Sequence, residues 1–161
     1  VTHPTTIRVD TVSLLVDAPA EATLAAIEAA LAALQLTLGI ERGAWESVAE
    51  LTLASWLEDG AHGARDGWLD PADHLVAGLE AELLDGRTLV VRPAPRRATG
   101  PDLVAIVLGA RRRFATLRRA WVRVHRVDAR RPRTAPFESD RDPAVSAAEE
   151  ELLAAISREL A

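Results

Sequence analysis

The stretch "GARRRFATLRRAWVRVHR", Gly109–Arg126, decides how the chain is read: it carries seven arginines in eighteen residues of a protein whose net charge is −5. Its apolar residues continue a stripe that begins upstream. Leu103, Val107, Ala110, Phe114, Leu117, Trp121 and Val124 follow one another in alternating steps of four and three. That spacing predicts a helix from near Pro101 to about Val124, with a core-facing stripe. The end is ambiguous, because "WVRVHRV" also alternates as a strand does. On a helical wheel Arg112, Arg119, Arg123 and Arg126 lie opposite the stripe, with Arg111 and Arg118 flanking it. Phe114 and Trp121 fall on the core side, which argues against a stacking platform for single-stranded nucleic acid, since that needs exposed aromatics. Contacts to backbone phosphate would need only the arginines.

The surrounding charge is laid out in blocks. Residues 1–86 hold 15 acids and 3 arginines, residues 87–133 hold 14 arginines and 2 acids, and residues 134–161 hold 7 acids and 2 arginines. The middle block therefore calls either for an acidic partner or for neutralisation by its own flanks. With 161 residues, 48% hydrophobic and 27% charged, the chain has the profile of a soluble domain with a core of its own. Lys, Asn, Tyr, Met and Cys are all absent, which fits a GC-rich bacterial genome. Val1 reads as a GTG start translated literally, so a complete reading frame is expected. The lack of cysteine excludes disulfides, thiolate chemistry and cysteine zinc sites. No basic leader followed by an apolar run opens the chain, and no stretch reaches the roughly 18 apolar residues of a membrane span. A cytoplasmic location and no membrane partner are expected.

Working outward, residues 6–16 read as a strand. Pro19 opens a helix whose face is Leu24, Ile27, Leu31, Leu34 and Leu38. A second helix covers about 43–58, with Trp45, Val48 and Trp56 on one side. In "LDPADHLVAGLEAELLDG" Asp70 as cap, Pro71 in the first turn, Gly86 as stop and Leu75, Leu79 and Leu83 at steps of four predict a third helix. Residues 87–93 read as a strand. The order β-α-α-α-β-α-(β)-α predicts an α+β, helix-dominated fold: about five helices with a small sheet of two or three strands. Residues 1–127 form a single globular domain in this reading, 128–143 a proline-containing linker, and 144–161 a C-terminal amphipathic helix.

The chemistry-bearing motifs are few. "EDGAHGARDGWLDPADH" gathers Glu58, Asp59, His62, Asp66, Asp70, Asp73 and His74, the right ligand types for a divalent metal, but the spacing matches no metal motif. There is no phosphate-cradling glycine loop and no nucleophile elbow among Ser13, Ser47, Ser55, Ser139, Ser146 and Ser157. No catalytic set, metal or cofactor is expected. The first functional reading is a small non-catalytic protein–protein interaction module: an adaptor, regulator or assembly subunit binding another protein or a second copy. Its contacts would be Arg112, Arg119, Arg123 and Arg126, and the anchors Val145, Leu152, Ile156 and Leu160 of the last helix, spaced for docking in a groove. The alternative is nucleic-acid binding through the arginine face. Arg118 or Arg119 followed by His125 resembles the Arg-x4-6-His motif of HEPN-family ribonucleases, helical bundles that dimerise to pair two such motifs. The resemblance covers those residues alone and implies metal-free RNA cleavage by Arg118 and His125.

Overall fold

Residues 115–123 form a strand at the centre of a sheet, and the rest of the fold is arranged around it. The computed structural model describes residues 6–64, 75–93 and 103–127, together with Glu151, Ala154, Ala155 and Arg158. The chain divides into two compact units, Val1–Ala129 and Arg130–Ala161. In the second unit the four described positions are helical. Val145, Leu152, Ile156 and Leu160, like the whole of 128–143, lie outside the described residues.

In the first unit the elements are β1 (Arg8–Asp10), β2 (Leu15–Pro19), α1 (Leu24–Ala32), β3 (Leu36–Thr37), α2 (Arg42–Val48), α3 (Leu53–Glu58), β4 (Val76–Leu83), β5 (Thr88–Val91), β6 (Ala115–Arg123) and β7 (His125–Arg126). A 3-10 turn spans Leu103–Ile106. Five strands form one sheet in the order β1-β2-β6-β4-β5, and β3 pairs with β7 in a second, two-stranded sheet. Every pairing is antiparallel.

This corrects the helix-dominated expectation. The described residues of the first unit hold three helices and more strand than helix. Two segments account for most of the difference. In β4, Leu79, Ala81 and Leu83 alternate with Glu80 and Glu82, and the alternate set packs in or against the core. Leucines four apart share a face in a strand as well as in a helix, so their spacing does not discriminate. In β6 the register passes from Ala81↔Leu117 to Glu80↔Arg119, which leaves Arg118 as an extra residue. That β-bulge inserts a step of three into a period of two. Ala115, Leu117, Ala120, Val122 and Val124 are the buried set as a result, and the sequence 2, 3, 2, 2 imitates part of a helical stripe. Trp121, assigned to the stripe by the helical reading, is half-buried and stands outside the core cluster.

Other boundaries move for local reasons. The first strand is a hairpin: Asp10 Oδ1 accepts the amides of Val12 and Ser13 at 2.9 and 3.0 Å and turns the chain between β1 and β2. α1 buries Leu24, Ile27 and Leu31, then ends at Ala32, and Gln35 at φ 56 reverses the chain into β3. The second helix is split into α2 and α3 around Thr52. Residues Val76–Leu83 form β4, and the helix start assigned to Asp70 and Pro71 lies outside the described residues.

The starts of α1 and α3 are tied to each other. Thr23 and Thr52 form an isolated antiparallel bridge, and each caps its own helix: Thr23 Oγ1 accepts from Ala26 and Thr52 Oγ1 from Ser55. Leu24 and Ala25 donate to the carbonyls of Leu51 and Ala49, while Leu53 and Ala54 donate to those of Ala22 and Ala20. The amides that a helix start normally leaves open are closed by protein acceptors. Leu24, Ile27, Leu31, Leu53, Trp56 and Leu57 are thereby presented to the sheet residues Val16, Ala18, Leu79, Leu117 and Val122, all buried in one cluster. Each such leucine contributes about 1.5–3 kcal/mol through the apolar area it removes from water.

Gly78 sets a hard limit on this packing. A Cβ there would stand 2.5 Å from the Val91 carbonyl oxygen, 2.7 Å from Pro93 N and 3.0 Å from Arg92 C, all backbone atoms. Gly78→Ala is expected to cost about 1–3 kcal/mol in denaturant unfolding. Gly43→Ala, in α2 with open space around it, is expected to stabilise by about 0.4–1 kcal/mol. Equal effects of the two substitutions would contradict the close approach of 91–93 to β4.

Candidate functional site

Two loops with left-handed backbone meet at the C-terminal end of α3. The first follows the helix: Gly60, Ala61 and Gly63 have φ of 94, 56 and 75°. It is held by Ala61 N–H to the Trp56 carbonyl at 2.7 Å and by the buried Trp56 indole, which donates to the His62 carbonyl at 2.9 Å. The second leads into β6: Gly109, Arg111 and Arg112 have φ of 72, 49 and 63°. The loops are laced together by Gly109 N–H to the Leu57 carbonyl at 3.0 Å and Arg111 N–H to the Glu58 carbonyl at 3.1 Å. A left-handed conformation costs a residue with a side chain about 1–2 kcal/mol. Ala61, Arg111 and Arg112 all adopt it within this one junction, and strain of that kind gathers where a loop geometry is put to use.

Glu58 is the centre of the junction. Its side chain is 6% exposed, and Arg112 Nε donates to its Oε2 at 2.8 Å from a side chain that is 61% exposed. The Leu117 amide at the head of β6 lies 3.5 Å from Oε1. Alongside, Arg111 Nε stands 3.5 Å from Asp59 Oδ1, both side chains well exposed. The adjacent acids at the end of α3 thus hold the adjacent arginines of the turn. Cations at this end of a helix also meet its negative dipole favourably.

The remaining arginines of the segment are distributed along strands. Arg119 is 3% exposed; its Nε donates to Asp17 Oδ1 on β2, and its Nη2 donates to the Thr6 carbonyl at 3.1 Å. Arg118, the bulged residue, reaches Glu82 through Nη2 at 2.6 Å and Nε at 3.2 Å, at the surface. Arg123 is half-buried opposite Leu15, and Arg126 is exposed at the end of β7 opposite Leu36. His125 is half-buried beside Gly39, where an added Cβ would meet its Cδ2 at 2.8 Å. A helical arginine face is therefore not formed: Arg112 belongs to a turn, Arg119 to the interior and Arg126 to a separate small sheet. Arg118 and His125 sit on two different strands rather than on one helix, which removes the helical context of the ribonuclease resemblance.

Of the acidic stretch, Glu58, Asp59 and His62 are described and Asp66, Asp70, Asp73 and His74 are not. Among the described residues no three His, Asp or Glu side chains form a group that could hold a metal ion. No described helix is long and apolar enough to cross a membrane.

No protein-family profile matches the chain, and no curated protein matches it. Solved structures do. The chain is similar in fold to part of alkyldihydroxyacetonephosphate synthase. One crystal form of that enzyme matches with a TM-score of 0.61 at 19% identity, over 76% of this chain and 21% of the synthase chain. A second matches with a TM-score of 0.58 at 22% identity, over 74% and 22%. The chain spans about a fifth of the length of the structures it matches. The expectation of a non-catalytic adaptor is corrected here: the fold is one that an enzyme carries, and the helical arginine surface on which both that reading and the nucleic-acid alternative drew is a sheet strand and a strained turn.

The sequence named Glu58 as a metal-ligand candidate and Arg112 as a partner contact, but not their pairing. Nor does a local motif mark Asp17 as the partner of the buried Arg119. The signal that bears on both is the charge layout, with an acidic first block facing a basic second one.

Because Glu58 is buried and Arg112 is not, the pair is asymmetric. Arg112→Ala leaves a buried carboxylate without its cation and is expected to cost about 1–3 kcal/mol in unfolding free energy. Glu58→Gln should cost clearly less. Arg112→Gly loses the same pair but accepts the left-handed backbone, and it should lie about 1 kcal/mol above Arg112→Ala. A reversed order between Arg112→Ala and Glu58→Gln would refute this account of the junction.

Proposed function

We propose that this chain is one domain of a larger enzyme, and that the paired loops at the end of α3 line part of its active site. The likeness of fold supports this reading: three-quarters of the chain is matched, yet the match occupies only about a fifth of the synthase. A domain of that share supplies some of a catalytic site, and the remainder comes from elsewhere in a longer chain or from a second one. The loop junction is the natural contribution, because it combines a rigid sheet-and-helix base with strained, partly exposed loops bearing charged side chains. The matched synthases are named for a phosphate-bearing compound, and a small phosphate-bearing molecule is accordingly the substrate class we assign to the whole enzyme.

In extracts of the source cells run under native conditions, an antibody to this chain is expected to detect a species several times the chain's own mass. That species should turn over a phosphate-bearing substrate, with kcat/KM lowered about tenfold or more by Arg112→Lys. A species of the chain's own mass alone, unaccompanied by any enzyme, overturns the proposal.

A further inference from the structure

The N-termini of helices are the usual places for an anion to meet backbone donors, and in α1 and α3 those donors are used. Leu24 and Ala25 give their amides to Leu51 and Ala49, Leu53 and Ala54 give theirs to Ala22 and Ala20, and the two threonine caps take the next ones. The cationic donors of the Gly109–Arg113 turn are arranged differently. Arg111 and Arg112 each direct Nε to one carboxylate, Asp59 and Glu58 respectively. A guanidinium has five N–H donors, and Nε accounts for one. Among the described residues the terminal nitrogens of these two arginines meet no acceptor, and their side chains are 72% and 61% exposed. A carboxylate at Nε fixes the plane of the fork and leaves its outer edge to a ligand, the geometry that suits a doubly charged oxyanion. Glu58, itself buried, cannot swing away, so Arg112 is held by a fixed anchor.

We propose that the Gly109–Arg113 turn binds the phosphate group of a small phosphate monoester through the terminal nitrogens of Arg111 and Arg112. This rests on the reading of the chain as a domain of an enzyme with a phosphate-bearing substrate, and it names the part of the junction that recognises that substrate. Asp59 and Glu58 are positioning residues: they touch the arginines and not the ester.

The test is calorimetric titration of the full chain with glycerol 3-phosphate, inorganic phosphate and ADP at constant ionic strength in chloride. Saturable binding of glycerol 3-phosphate and inorganic phosphate is expected, with ADP weaker. Arg111→Ala, whose only described ion pair is at the surface, should raise Kd for the ester at least tenfold while the melting temperature stays near that of the unsubstituted chain. Arg112→Lys keeps the charge but loses the fork and should weaken binding by a similar factor. Asp59→Asn should weaken it less, by loosening Arg111. Unchanged affinity in Arg111→Ala would reduce the two arginines to caps on the end of α3 and overturn the proposal. Absence of saturable binding by the ester and by phosphate would overturn it as well, and tighter binding of ADP than of the ester would overturn the monoester assignment. Each of these failures leaves the multi-domain reading standing, because that reading is decided by the mass of the native species.

Discussion

The ion pair between Arg119 and Asp17 joins β6 to β2 on the polar face of the sheet, and the position of the central strand depends on it. An arginine on an interior strand must be desolvated, and a cation taken out of water is tolerated only with a charge and hydrogen bonds to meet it. Arg119 finds both in the Asp17 carboxylate and the Thr6 carbonyl. With the pair in place, Val16 and Ala18 on β2 and Ala120 and Val122 on β6 turn together toward the helices, and the core closes over them. Shifting the strand by one residue would exchange these faces and bury the wrong set.

The bulge at Arg118 makes this arrangement compatible with two consecutive arginines. An unbroken strand would place them on opposite faces, one of them in the apolar core. The extra residue lets Arg118 turn outward to Glu82 while Arg119 enters the polar side of the sheet. The same logic runs through the whole basic segment. Arg111, Arg112, Arg118 and Arg119 all meet acids from the first 86 residues, so the charge blocks of the sequence are folded against each other. Much of the basic segment is thus answered from within, and the ligand contacts proposed above use the outer edges of Arg111 and Arg112.

The amphipathic helix over 24–32, the strand over 88–91 and the complementary charge blocks could be read in the sequence, because each rests on a local pattern or on composition. The centre of the sheet could not. Leu79 and Leu83 stand four apart, a spacing shared by both periodicities, and the bulge disguised the alternation of β6 as a helical stripe. A register shift is a property of two strands at once, and no single segment reveals it. The junction at Glu58 was hidden for a related reason. Its acids and arginines lie more than fifty residues apart, and only pairing through the Leu57 and Glu58 carbonyls brings them together. Arg111 and Arg112 are left-handed without being glycines, so the usual mark of such a turn was missing at those two positions.

The reciprocal closure of the two helix starts has a consequence for how the domain opens. Because Leu24 and Ala25 are bonded to 49–51 and Leu53 and Ala54 to 20–22, neither helix can fray from its first turn without releasing the other. Their amides belong to one cooperative unit, and native-state hydrogen exchange at these four positions would report a single opening free energy rather than the graded protection of independent helix ends. The loop 59–63 hangs from that unit through Trp56, so the junction inherits a stiff base on one side and meets β6 on the other.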